Sequence, residues 1–264
     1  MPRVTGRSLP TMPPVTVTGR SEVPVRLSIL GSGNAFGGHG GNASAVLDER
    51  VLVDAGSPPH LLLPPLGLDI HDIDLVLLTH FHLDHTAMLP LLLGALAWSD
   101  DPQAGHLVIA GPVGTREVIG RLVAAGFGRG MQERIDRRVA PEYAVLQDGS
   151  DVQIGDYRVR SHSVVHSTGP SLAHAVTRNG LRVGFSGDTT LCPGLRRLAA
   201  EVDVLVCECS SWDGPVGGGH LWRGEVEELV AEYPEVRFIL NHLPGRGSVP
   251  GALIAHDLLT LDLS

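Results

Sequence analysis

The chain has 264 residues, 43% of them hydrophobic, which is enough for a sizeable core in one layered domain. Its formal net charge of −9 argues against gripping a long phosphate backbone, where affinity comes from basic side chains displacing counterions. Three cysteines make no disulfide framework, and no apolar run suits a signal peptide or a membrane span, so a soluble cytoplasmic protein is expected.

Residues 1–23 are rich in Pro, Thr and Gly, lack periodicity and read as a disordered tail. The folded domain is then 24–264. A strand is expected over 24–30, followed by a Gly-rich loop over 31–41. Residues 43–47 and 50–54 read as a hairpin turning at Asp48-Glu49. Leu75-Val76-Leu77-Leu78 is a continuous apolar strand that ends at a histidine cluster. A helix over 87–98, a strand over 107–109 and a helix over 112–125 come next, and 126–141 fits either class. Short strands recur around 144 and 152, then over 157–165, 172–177 and 181–185. A buried strand covers 202–207, a helix follows Trp222, a strand spans 236–240, and a last helix runs from 251 to 259. Strand–helix units set between groups of strands predict an α/β fold, a four-layer αββα sandwich of two mixed sheets covered by helices.

Histidine is over-represented, with 13 residues against 3 tryptophans and 3 tyrosines. His80-Phe81-His82-Leu83-Asp84-His85 follows the apolar strand and precedes a helix. Side chains two apart on extended backbone point to the same side, so His80 and His82 can share one metal ion. The chain then turns, and Asp84 and His85 can face a neighbouring ion. Imidazole with carboxylate suits zinc, and also iron or manganese.

Together with Thr79, this run resembles the signature of the metallo-β-lactamase superfamily. Four more motifs keep that family's order: Val53-Asp54-Ala55-Gly56, His162 to Gly169, Ser186-Gly187-Asp188-Thr189, and Asn241-His242-Leu243. The resemblance covers 25–264. It implies that His80, His82 and His166 hold a first metal, that Asp84, His85 and His242 hold a second, and that Asp188 bridges them. His162 competes with His166 for the third place, and the Ser-Thr-Gly after His166 favours the latter. Asp54 is expected to orient a ligand imidazole from outside. The implied cofactors are two zinc ions, with manganese or iron as alternatives. They would share a water that attacks a phosphoryl or carbonyl centre, with Asp84 orienting it.

Glu208 and His220 resemble an assisting pair of the ribonuclease Z-like phosphodiesterase branch, in which the histidine acts at the scissile phosphate. The chain departs from that branch in three places. Only 167–187 separate His166 from Asp188, leaving no tRNA-gripping arm. Leu221-Trp222 follow His220 where the branch has Ser or Thr. Thr86 stands where Gly is usual. The expected partner is therefore a small molecule or short nucleotide diester rather than tRNA. Carboxylic esters, thioesters or lactones are the alternative, and a non-catalytic binding module is a more remote one. A homodimer is expected by analogy alone. Gly31-Ser32-Gly33-Asn34-Ala35-Phe36 misses the dinucleotide fingerprint and reads as a turn beside the site. Phe36, Trp212 and Trp222 could line a pocket, though aromatics more often serve packing. Cys207 and Cys209 read as structural, and Arg134, Arg137 and Arg138 as a solvated face, with nucleotide binding as the alternative.

Overall fold

The computed structural model describes residues 24–100 and 106–263, so the tail expected over 1–23 lies outside the described residues. The first half contributes β1 (Val25–Gly31), β2 (Ser44–Leu47), β3 (Val51–Val53), β4 (Leu75–Leu77), β5 (Val108–Gly111) and β6 (Glu142–Val145). Its helices are α1 (Pro59–Leu62), α2 (Leu83–Thr86), α3 (Leu89–Trp98), α4 (Thr115–Phe127) and α5 (Arg129–Arg138). The second half adds β7 (Asp151–Ile154), β8 (Tyr157–Val164), β9 (Ser171–Arg178), β10 (Leu181–Phe185), β11 (Val204–Glu208) and β12 (Arg237–Asn241). Helices α6 (Pro193–Ala199) and α7 (Arg223–Glu232) flank β11, and β13 (Ala252–Ile254) and β14 (Leu259–Leu263) close the chain.

Among the described residues these strands form two seven-stranded sheets, in the orders β14-β1-β2-β3-β4-β5-β6 and β13-β12-β11-β10-β9-β8-β7. Each sheet is part antiparallel and part parallel: β3 to β6 run parallel in one, β10 to β13 in the other. The inner core lies between the sheets, where Leu27, Leu47 and Leu77 meet Val159, Val176, Val206 and Ile239. On the outer face of the first sheet, Leu92, Leu93, Ile119 and Ile135 of α3, α4 and α5 pack on Val76 and Ile109. On the second, Leu195, Leu198, Val226 and Leu229 of α6 and α7 pack on Leu205, Phe238 and Leu240. The αββα expectation holds.

The turn expected at Asp48-Glu49 is present, with both residues in left-handed backbone (φ 52° and 63°). The helix expected over 251–259 is not. Gly251 has φ 83° and Leu258 φ 61°, so regular helix is interrupted at both ends of that stretch. The stretch instead contains β13, which pairs parallel with β12, and leads into β14, which pairs antiparallel with β1. Leu259, Leu261 and Leu263 alternate with the exposed Thr260 and Asp262, a strand period of two. The ambiguous stretch 126–141 contains α5, and α6 is an unexpected helix opened by Pro193 in its first turn. Arg134 and Arg138 do more than face solvent. Each donates to a carbonyl at the end of α3 (Ala97 at 2.9 Å, Ser99 at 2.8 Å), and Arg134 stacks on Trp98.

Two contacts across the sandwich fix the approach to the histidine run. Leu172 N on β9 donates to Thr79 O (2.9 Å), and His174 Nε2 donates to Leu78 O (3.0 Å). Both carbonyls lie just past β4, so the second sheet holds the backbone that leads into that run. His174 is fully buried, accepts at Nδ1 from Ser161 Oγ (2.9 Å), and burial pushes its pKa down, which keeps it neutral.

Phe238 is nearly fully buried between β12 and its helices. Phe238→Ala is expected to lower unfolding free energy by about 3–5 kcal/mol in urea titration. A loss under about 1 kcal/mol would mean that this helix–sheet layer is not packed as described.

Candidate metal centre

The parallel strands of both sheets end at one edge, and the expected site residues sit there. Asp54 follows β3, His80 lies just past β4, and His82, Asp84 and His85 occupy the start and body of α2. His166 lies past β8, Asp188 past β10, and His242 directly after β12, while Glu208 ends β11. Asp54 and His242 adopt left-handed backbone (φ 54° and 53°), which side-chain-bearing residues enter rarely and which collects at functional sites. Gly56 and Gly187 allow the close approach of these loops. A Cβ on Gly56 would lie 1.7 Å from the Asp84 carbonyl oxygen, and one on Gly187 2.7 Å from Thr79 Cβ.

The side chains gather into three overlapping groups, of which Glu208, His220 and His242 form the smallest. His80, His82, His166 and Asp188 present ligand atoms within 4.8 Å of one another, and so do Asp84, His85, Asp188 and His242. Asp188 is common to these two four-residue groups. Its Oδ2 lies 3.3 Å from His85 Nε2 and from His242 Nε2, 3.7 Å from His80 Nε2 and 3.8 Å from His166 Nε2. His242 Nε2 is 3.1 Å from Asp84 Oδ2, and His82 Nδ1 is 2.9 Å from His166 Nε2.

Most of the imidazoles are held from behind. His85 Nδ1 donates to Asp54 Oδ2 (2.7 Å). His80 Nδ1 donates to Thr79 Oγ1 (3.0 Å), whose hydroxyl donates on to Asp54 Oδ2 (2.7 Å). Thr79 N donates to Asp54 Oδ1 (2.9 Å), so this one carboxylate orients two imidazoles. His242 Nδ1 donates to Ser210 Oγ (2.8 Å), which donates to Glu208 Oε2 (2.5 Å). His166 Nδ1 donates to Gly219 O (3.0 Å). Tying up Nδ1 leaves Nε2 as the free lone pair aimed at the centre, the arrangement that metal-binding histidines require.

The free atoms fit metal ions. His80 Nε2, His85 Nε2 and both oxygens of Asp188 are buried and have no hydrogen-bond partner. Each such atom left alone costs about 1–3 kcal/mol, and here they converge on one another. Without metal, burial opposes the charge of Asp188, but the neighbouring His85 and His242 hold its carboxyl well below the usual range. Burial also opposes protonation of His85, yet Asp188 and Asp54 on either side raise its pKa well above the usual value. Burial pushes His80, His82 and His166 down. A nitrogen and oxygen donor set of this kind suits zinc and other first-row divalent ions.

The Beta-lactamase superfamily domain profile matches residues 49–243, about three quarters of the chain. The chain belongs to the metallo-β-lactamase superfamily. An uncharacterized protein of Mycobacterium tuberculosis is 27% identical over 237 residues, covering 84% of this chain and 82% of that protein. Ribonuclease Z of Bradyrhizobium diazoefficiens is 23% identical over 277 residues, covering 83% of this chain and 90% of that enzyme. The crystal structure of the human tRNase Z short form superposes with a TM-score of 0.71 at 22% identity, covering 90% of this chain and 99% of that one.

In this superfamily member His162 lies away from the cluster, bonded to Glu201 (2.6 Å), and His166 occupies the place for which the two competed. Glu208 and His220 come together: His220 Nδ1 is 3.2 Å from Glu208 Oε1 and 3.8 Å from Asp188 Oδ2. Burial opposes the His220 charge, and the hydrogen bond and charge of Glu208 raise its pKa on balance. Thr86 Oγ1 donates to His82 O (2.9 Å), so the residue found in place of Gly braces α2. Of the three candidate aromatics Phe36 alone lines the cavity above the cluster, whereas Trp212 packs on Gly247 and Trp222 on Gly224. Cys207 and Cys209 are buried, and burial pushes the Cys209 thiol up to about 12, which makes it unreactive. Sequence reading missed Ser210, His174 and the Thr79 hydroxyl. Ser210 carried one usable signal, a spacing of two from Glu208 on extended backbone.

Asp54→Asn keeps the shape, and Asn tolerates left-handed backbone. It is expected to weaken metal affinity by about 10–100-fold while circular dichroism stays unchanged. Undiminished affinity by competition titration would mean that Asp54 does not orient the ligands.

Proposed function

We propose that this chain is a phosphodiesterase that uses two metal ions, zinc or a similar divalent ion, to hydrolyse small or nucleotide-type phosphodiesters. His80, His82 and His166 would hold one ion and Asp84, His85 and His242 the other, with Asp188 reaching both. When bound, such ions supply Lewis acidity and lower the pKa of water. Asp84 lines the cavity and can orient a water or hold its proton.

The observation that carries the phosphodiester reading is His220, an imidazole beyond those needed for the two four-residue groups. Its Nδ1 is engaged by buried Glu208, and its ring stacks on His242 with centroids 5.4 Å apart and 15° between planes. Glu208 is itself held by Thr189 N (2.6 Å) and Ser210 Oγ. His220 lines the cavity, and its Nε2 makes no hydrogen bond among the described residues. A positioned imidazole there can meet the extra negative charge of a phosphoryl transition state or protonate the leaving oxygen. Relatives named ribonuclease Z support phosphodiester chemistry. The stretch between His166 and Asp188 is taken up by the β9–β10 hairpin, which favours a small substrate over tRNA.

His220→Ala is expected to keep its metal and lose about 10²–10⁴-fold in turnover of bis(p-nitrophenyl) phosphate. Unchanged turnover would contradict the role given to His220. Wild-type hydrolysis of p-nitrophenyl acetate alone, with no diester turnover, would replace this reading with a carboxylic ester, thioester or lactone hydrolase.

A further inference from the structure

The cavity over the metal centre has a volume of about 830 Å³, well beyond what a phosphate group needs. Its upper wall is apolar: Phe36, Leu83, Met88, Val216 and Pro244 line it above the His and Asp side chains. Phe36 is entirely exposed, and Leu83 and Val216 are 61% and 43% exposed. Leaving a large apolar side chain in water forgoes about 1.5–3 kcal/mol, and here three of them ring one opening. Such a patch at the mouth of a cavity marks a contact for a ligand.

Phe36 does not sit on a slack loop. Ser32 N, Ser32 Oγ and Gly41 N all donate to the Asp257 carboxylate, at 2.9, 2.8 and 2.7 Å. Asn34 N donates to Leu243 O (3.1 Å) and Leu243 N to Ser32 O (2.8 Å), which joins the loop base to the backbone beside His242. Gly37 N donates to Asn34 Oδ1 (2.6 Å) and closes the turn that carries Phe36. The backbone that carries Phe36 is thus tied to the backbone beside His242.

Charge narrows what the wall can take. The chain contains no lysine, and among the described residues no arginine lines the cavity. Among the described residues, no lysine or arginine lines that wall to meet a second phosphate or carboxylate on the substrate. The neutral polar residues in the lining are Asn34, Asn42 and Ser210. The Asn34 oxygen is used within its loop, which leaves its NH₂ group to donate.

Resting on the phosphodiesterase reading, we propose that Phe36 stacks on an uncharged planar ring of the substrate, an aryl group or nucleobase. Leu83 and Val216, which line the same cavity, would add apolar contact, and the carboxamides would offer hydrogen bonds to the ring. The substrate class is then a singly charged diester with one aromatic arm, and Phe36 sets the preference for that arm.

The test compares two diesters with the same leaving group and charge, thymidine 5′-p-nitrophenyl phosphate and methyl p-nitrophenyl phosphate, on zinc-loaded full chain. Wild type is expected to favour the thymidine ester in kcat/KM. In Phe36→Ala that preference should fall by about tenfold, through KM of the thymidine ester, as loss of base–aromatic stacking requires. Phe36→Trp should retain it. A preference unchanged in Phe36→Ala, or absent from wild type, overturns the proposal. Saturation-transfer NMR with thymidine itself reads the contact without turnover: transfer to the base protons in wild type, and its loss in Phe36→Ala, are expected. Transfer that survives in Phe36→Ala overturns the proposal even if diesters are cleaved. A zinc-loaded wild type that cleaves neither diester but binds thymidine through Phe36 would instead remove the phosphodiesterase reading and leave ring capture standing.

Discussion

The structure turns on the burial of Asp188. Its carboxylate is almost fully enclosed, neither oxygen has a hydrogen-bond donor, and His80, His85, His166, His220 and His242 place nitrogens 3.3–3.8 Å from Oδ2. An ionised carboxylate is costly to bury unless cations meet it. Nothing in hydrophobic packing would put it there, whereas metal ligation would. The outer hydrogen bonds make sense on the same terms. Asp54 and Glu208 anchor imidazoles directly or through a hydroxyl, so the nitrogens around Asp188 stay aimed inward before any ion arrives.

The sandwich exists in a form that serves this edge. Parallel pairing keeps the ends of β3 and β4 level (Val53 opposite Leu77) and those of β11 and β12 level (Glu208 opposite Asn241). The loops that leave these ends therefore start side by side. The two sheets are then locked at the site by Leu172 and His174 on the backbone of Leu78 and Thr79. Left-handed backbone at Asp54 and His242 is tolerated because strands and hydrogen bonds on each side over-determine it.

Much of this was legible in the sequence because it is local. The run from His80 to His85 keeps its ligands within a short stretch of chain, and the Asp54, Asp188 and His242 motifs follow strands with buried apolar residues, while the His166 motif follows the alternating strand β8. What escaped was non-local. The stretch 251–259 has apolar residues that suit a short helix, and only the unpaired edges of β12 and β1, the latter more than 200 residues away, make it β13 and the start of β14. Ser210 is unremarkable in sequence, and its value comes from lying between Glu208 and His242, which different strands deliver. His174 reads as a core residue on β9, and its hold on Leu78 depends on sheet-to-sheet packing that no periodicity reveals. Trp212 and Trp222 were plausible as pocket residues by type alone, but glycines opposite their rings draw them into packing.

Charge and shape above the centre complete the picture: an acidic chain, an apolar wall and a floor of imidazole and carboxylate. All of it presumes that Asp188 is shared between two ions. The most direct test is anomalous diffraction at the zinc edge from zinc-soaked crystals. Two peaks, one among His80, His82 and His166 and one among Asp84, His85 and His242, both against the Asp188 carboxylate, are the predicted result. A single peak, peaks elsewhere, or none would contradict it.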